Sequence, residues 1–198
     1  MQDYKFPLDF TFHIGTLSND FSAVDANGKM VAYVKQKLFK FKENVGVYQN
    51  DSNTELLYNI KADRWIDFSA CYSFSDPSGQ ELGKIGRKGW ASLWKAHYEI
   101  FDKNKQLKYT IREENAWVKV LDGMVGQIPI INLFTGLFLN PAYIVINGNN
   151  ETVVRLSKEK SLVGRRFKVS ELKKLSGNDD DIIILGLMMM ILLECRKG

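Results

Sequence analysis

Ile182-Ile-Ile-Leu-Gly-Leu-Met-Met-Met-Ile-Leu-Leu193 is an unbroken run of twelve apolar residues near the end of a 198-residue chain. Asp179, Asp180 and Asp181 precede it and Arg196 and Lys197 follow, which complements a helix macrodipole, negative at the N-terminus and positive at the C-terminus. A helix apolar on every face needs an apolar surround on every side, either lipid or protein interior. Twelve residues at ~1.5 Å each rise about 18 Å, well short of the roughly 30 Å hydrocarbon core of a bilayer. The run therefore predicts a central helix over residues 180–195 inside a protein, and the rest of the chain must supply its container.

Upstream, a repeat supplies one. Five times an aromatic or β-branched stretch leads into an Asp or Asn followed by turn residues, with anchors at Asp25, Asp51, Asp76, Asp102 and Asn147. Four residues before the anchors stand Phe21, Val47, Tyr72, Tyr98 and Tyr143, and nine after them stand Val34, Ile60, Ile85, Ile111 and Leu156. Each unit reads as a strand, a tight turn and a strand. Anchor spacings are 26, 25, 26 and 45, and removing residues 123–141 restores the period, so that segment reads as an insertion into a meander of hairpins. The alternation Phe6, Leu8, Phe10, Phe12, Ile14 adds a strand before the hairpins, and Arg166-Phe-Lys-Val169 adds one after them.

About twelve antiparallel strands are too many to stay flat and open, and closure into a barrel removes the edges. A barrel of that girth has a lumen, and a helix about 10 to 12 Å across fills it. The expected fold is mainly β: an antiparallel closed barrel of about twelve strands, built of hairpin repeats, enclosing a hydrophobic C-terminal helix in one domain over residues 1–198.

Three phrases carry a family likeness: Phe21-Ser-Ala-Val-Asp-Ala-Asn-Gly-Lys-Met-Val-Ala-Tyr-Val-Lys35, Asn140-Pro-Ala-Tyr-Ile-Val-Ile146, and Phe167-Lys-Val-Ser170 followed by the apolar helix. From about Phe6 to Cys195 the chain resembles the tubby C-terminal-like superfamily, which includes the LURP-one-related proteins and the phospholipid scramblases. The resemblance implies the barrel with its central helix and a link to phosphoinositides or membranes. No ligand residue carries over, because no local motif matches.

Composition is that of an ordinary soluble globular protein with a net charge of +4, which permits an anionic partner without demanding one. The N-terminal residues show no signal-peptide pattern, and two widely spaced cysteines, Cys71 and Cys195, read as free thiols, so the expected address is cytoplasmic, with peripheral attachment at a membrane. His13 and His97 lack metal-ligand spacing, Asp25-Ala-Asn-Gly28 lacks the twelfth-position Glu of a calcium loop, and no nucleophile elbow, Walker or dinucleotide motif occurs. The expectation is a non-enzymatic protein with no metal and no cofactor, no transmembrane span and no nucleic-acid partner.

Two surfaces remain. Basic residues recur with a period near two, which turns several of them outward on strands. Lys35, Lys37, Arg87, Lys88, Arg165 and Arg166 are the candidates for anionic lipid headgroups, with Lys158 and Lys160 in the same basic stretches. The insertion is apolar and free of charge, and Leu133, Phe134, Leu137 and Phe138 are its candidates for a protein interface.

Overall fold

The computed structural model describes residues 4–13, 20–36, 44–52, 54–63, 68–88, 96–114, 142–161, 164–175 and 179–195. Twelve strands form the wall: β1 (Leu8–Phe12), β2 (Phe21–Val24), β3 (Met30–Gln36), β4 (Asn44–Tyr48), β5 (Leu56–Asp63), β6 (Phe68–Ser75), β7 (Glu81–Lys88), β8 (His97–Asp102), β9 (Leu107–Glu113), β10 (Ala142–Asn147), β11 (Thr152–Glu159) and β12 (Arg166–Glu171). Each pairs antiparallel with its sequence neighbours, and β1 pairs with β12 through Leu8 to Val169 and Phe10 to Phe167, closing the barrel. The first strand lies within the alternating stretch Phe6 to Ile14, and the last starts at Arg166 as expected and runs two residues past Val169, to Glu171.

Four repeat units pair as their spacing predicts: Phe21 faces Val34, Tyr72 faces Ile85, Tyr98 faces Ile111 and Tyr143 faces Leu156. Their turns share one geometry. The Asp25 carboxylate accepts the Asn27 and Lys29 N–H groups at 2.9 Å each, and the Asn147 side-chain oxygen accepts those of Asn149 and Glu151 at 3.0 Å each. The residue three after the anchor is left-handed in every case: Gly28 (φ 80°), Gly79 (φ 90°), Lys105 (φ 61°) and Asn150 (φ 60°).

The second unit departs from this pattern. Val47 faces Tyr58, and Ile60 faces Val45. Gln49 N–H reaches the Glu55 carbonyl at 2.9 Å, and it is Asn50, not Asp51, whose side-chain oxygen accepts the Ser52 N–H at 3.1 Å. The anchor is therefore one residue earlier than the spacing suggests. The turn is bracketed by Gln49 and Glu55, two residues longer than the Asp25 to Lys29 turn, and this length moves the Asx acceptor to Asn50.

The helix, α1 (Asp179–Cys195), begins one residue earlier than expected, and Ile182 through Leu192 are all buried. Side chains pointing inward from the wall, among them Phe10, Phe74, Ile85, Ile100, Ile111 and Leu156, form one core with it. Gly186 allows the closest approach, because a Cβ there would lie 2.7 Å from Ile100 Cδ1. Among the described residues no helix is long and apolar enough to cross a membrane.

Candidate functional site: the rim at the helix C-terminus

Up-and-down connectivity gives the barrel two unlike ends. The five hairpin turns lie at one end, called here the turn end. The connections from β1 to β2, β3 to β4, β5 to β6, β7 to β8, β9 to β10 and β11 to β12 leave from the other, the loop end. Helix α1 starts at the turn end, where the Tyr109 and Tyr58 hydroxyls donate to Asp179 at 2.7 Å and Asp181 at 2.6 Å. It finishes at the loop end, where the Tyr98 hydroxyl donates to Glu194 at 2.5 Å. Burial, and then these carboxylates, push the phenols of Tyr58, Tyr98 and Tyr109 well above the ordinary tyrosine range.

All five described cationic candidates sit at the loop end. Lys35 is the penultimate residue of β3, Arg87 and Lys88 are the last two of β7, Arg166 is the first of β12, and Arg165 directly precedes it. Their strands are not neighbours: β1 and β2 separate β12 from β3, three strands separate β3 from β7, and four separate β7 from β12. The cations therefore ring a mouth instead of covering one outer face. Lys37, Leu133, Phe134, Leu137 and Phe138 lie outside the described residues, as does the whole 123–141 insertion.

Strand parity sorts the ring into two sets. Lys35, Lys88 and Arg166 alternate with the inward Val34, Arg87 and Phe167 and so point outward. Arg166 is exposed, and Lys88 reaches the Glu99 carboxylate at 2.6 Å while half its side chain stays in solvent. Arg87 shares the parity of Ile85, and its guanidinium carbon sits 6.0 Å from the centroid of the Tyr98 ring. Arg165 shares the parity of Phe167 and donates to the Cys195 carbonyl at 3.1 Å, capping the last turn of α1. Lys158 also points inward, two residues beyond Leu156 and opposite Phe167. The β-alternation from the inward Leu156 carries that information, and the sequence reading did not use it.

Tyr143, Lys158, Arg165, Phe167, Met190, Ile191, Glu194 and Cys195 line a half-enclosed pocket of about 330 Å³ at this mouth. A second pocket of about 310 Å³ lies at the turn end, lined in part by Asp102, Asp179 and Asp181. Cys71 and Cys195 are free thiols. Cys71 is buried in the wall, and that burial pushes its thiol up to about 11. Among the described residues no His, Cys, Asp and Glu cluster could hold a metal ion.

Residues 30–171, from the first residue of β3 to the last of β12, match the LURP-one-related family. The chain belongs to the LURP-one-related family. The family match thus spans ten strands, while β1, β2 and the helix complete the barrel outside it. A protein of Arabidopsis thaliana of known crystal structure shares the fold, with a TM-score of 0.50 and 14% identity over 98% of this chain and 93% of that one. That likeness shows the shared fold; the family matched over residues 30–171 belongs to the tubby C-terminal-like superfamily. Among curated proteins none matches the chain.

Proposed function

We propose that this LURP-one-related chain is a non-enzymatic binding module that meets anionic phospholipid, phosphoinositide headgroups included, through its loop-end rim, and attaches peripherally to the cytoplasmic face of a membrane. The observation that carries the proposal is the shared level of Lys35, Lys88 and Arg166, outward cations from three separated strands at one mouth. Cations at one height around a mouth meet a flat anionic surface together, Lys35 and Arg166 each contributing about 1 kcal/mol near the membrane and Lys88 less, because Glu99 already engages it. Cations spread along one strand face would meet it one at a time. The acid-rich turn end, with Asp179, Asp180 and Asp181 beside the hairpin anchors, favours the same orientation because it is repelled by the same surface.

Vesicle flotation at low salt tests this proposal. The protein is expected to float with phosphatidylserine or phosphoinositide vesicles, to stay down with phosphatidylcholine alone, and to be released as salt rises. Equal indifference to all three compositions would overturn it.

A further inference from the structure

At the loop-end pocket a free thiol meets polar groups that the fold leaves unused. Cys195 ends α1, is only partly buried and lines the cavity. Tyr143 turns inward in the same lining and is 8% exposed, and its hydroxyl donates to no described residue. The two stand close enough for a charge on Cys195 to act on the phenol. Lys158 makes no ion pair among the described residues, and Arg165 uses one guanidinium nitrogen on the Cys195 carbonyl and still lines the pocket. The floor beneath is closed, with Met190 0%, Ile191 1% and Phe167 7% exposed, so a ligand reaches only the polar lining. Lys158 and Arg165 are balanced by two carboxylates, Glu194 in the lining and Glu113 opposite Tyr143 in the β9 to β10 register. The end of the helix adds a partial negative charge. A simple anion or a simple cation is repelled by half of these groups, whereas a small molecule with charges of both signs matches them. A volume near 330 Å³ falls at the lower end of the range that such ligands fill.

We propose that Cys195 is a site of reversible thiol–disulfide exchange with a small zwitterionic peptide thiol of glutathione's chemistry. Lys158 and Arg165 hold the peptide carboxylates, Glu194 holds its ammonium group, and the Tyr143 hydroxyl donates to a peptide carbonyl. Glu113 adds its field from behind Tyr143 and favours the ammonium on that side. The Cys195 thiol gives its proton to solvent, and the thiolate attacks one sulfur of the peptide disulfide. The old S–S bond breaks as the new one forms, and the departing peptide thiolate takes up a proton. Cys195 is oxidised and one peptide sulfur is reduced, so the peptide disulfide is the whole of the oxidant. The proposal stands apart from the surface reading, because none of the outward cations takes part in it and its readout needs no bilayer.

The full reduced chain is mixed with glutathione disulfide, with neutral hydroxyethyl disulfide and with cationic cystamine, in buffer and in denaturing urea, and adducts are located by mass spectrometry. The folded protein should form a glutathionyl adduct at Cys195 that dithiothreitol removes, while the buried Cys71 stays free until urea exposes it. Each reagent's rate at Cys195 in buffer is divided by its rate in urea. Partial burial should slow the two controls, and glutathione disulfide should keep an advantage of about tenfold over them. Lys158→Ala should cut that advantage about fivefold, the loss of one charge-assisted contact, and Lys158→Arg should restore most of it. A lysine acting only on the thiol would move all three reagents alike. No adduct at Cys195, an equal rate ratio for either control, or an unchanged advantage in a folded Lys158→Ala protein would each overturn the proposal.

Discussion

The two ends of this barrel are built from the same strands and solve different problems. At the turn end every connection is short, and four of the five are copies of one Asx-bonded hairpin, with acids clustered where the helix begins. At the loop end the connections range from four residues (64–67) to twenty-eight (114–141), the cations ring the mouth, and the helix finishes in a pocket. Tight turns of one geometry fix register and leave little surface to vary, whereas strand ends whose connections differ in length are free to carry side chains chosen for a partner. On the proposed function, stability falls chiefly to one end and recognition to the other.

Removing the element that joins the ends should have the largest effect. Gly186→Asp adds a Cβ that would meet Ile100 Cδ1 at 2.7 Å and buries a carboxylate among aliphatic side chains. The expected cost is about 5 kcal/mol or more, comparable to the whole stability of a typical domain. Loss of the folded circular-dichroism signal, matched by a chain truncated before Asp180, is the expected result. A soluble, folded truncation would show that the barrel stands without its helix.

Next are the tyrosines that tie the helix to the wall. Tyr98→Phe leaves Glu194 without that donor at the end where the helix dipole disfavours a carboxylate. Tyr109→Phe leaves Asp179 where the dipole favours it and Lys108 stands 3.9 Å away. Both should destabilise, Tyr98→Phe by about 1–3 kcal/mol and Tyr109→Phe by less, as read from urea midpoints. The reverse order would break the electrostatic contrast between the ends.

A smaller, pH-dependent effect belongs to the turns. The Ser78 hydroxyl, with the N–H groups of Gln80, Ser78 and Gly79, holds the Asp76 carboxyl below its ordinary value of 3.8. A depressed folded pKa adds stability that is present above 3.8 and is lost as pH falls through the lower folded value. Asp76→Asn should keep the turn, since Asn147 builds the same one with an amide, and should be less stable than the parent at pH 7. That gap should narrow in urea titrations as pH is lowered below 3.8. The smallest change is a gain: Lys105 holds φ 61°, and Lys105→Gly should add about 0.5–1 kcal/mol and raise Tm by about 1–4 °C.

Much of this was legible in the sequence because it was periodic. The twelve-residue apolar run could only be enclosed, and the interval between Tyr98 and Ile111 is the hairpin register itself. The second hairpin was misread by one residue because Asn50 and Asp51 both suit the anchor, and turn length, which composition does not encode, decided between them. The site was less legible. Basic residue types flagged Arg87, Arg165 and Arg166 without saying that the first two turn inward, and Lys158 was left without a direction although Leu156 already fixed its parity. That the cations share one rim is a property of closure, and no window along the chain contains it.

Charge reversal at each end in turn tests the central claim most directly. Lys35→Glu with Arg166→Glu at the loop end is compared, in flotation with phosphatidylserine vesicles at low salt, with Lys29→Glu and Lys103→Glu at the turn end. The loop-end pair should lose most of its vesicle-bound fraction while the turn-end pair retains it, and both should keep the parent's thermal unfolding. Equal losses from the two ends, or a loss confined to the turn end, would contradict the assignment of recognition to the rim where the helix finishes.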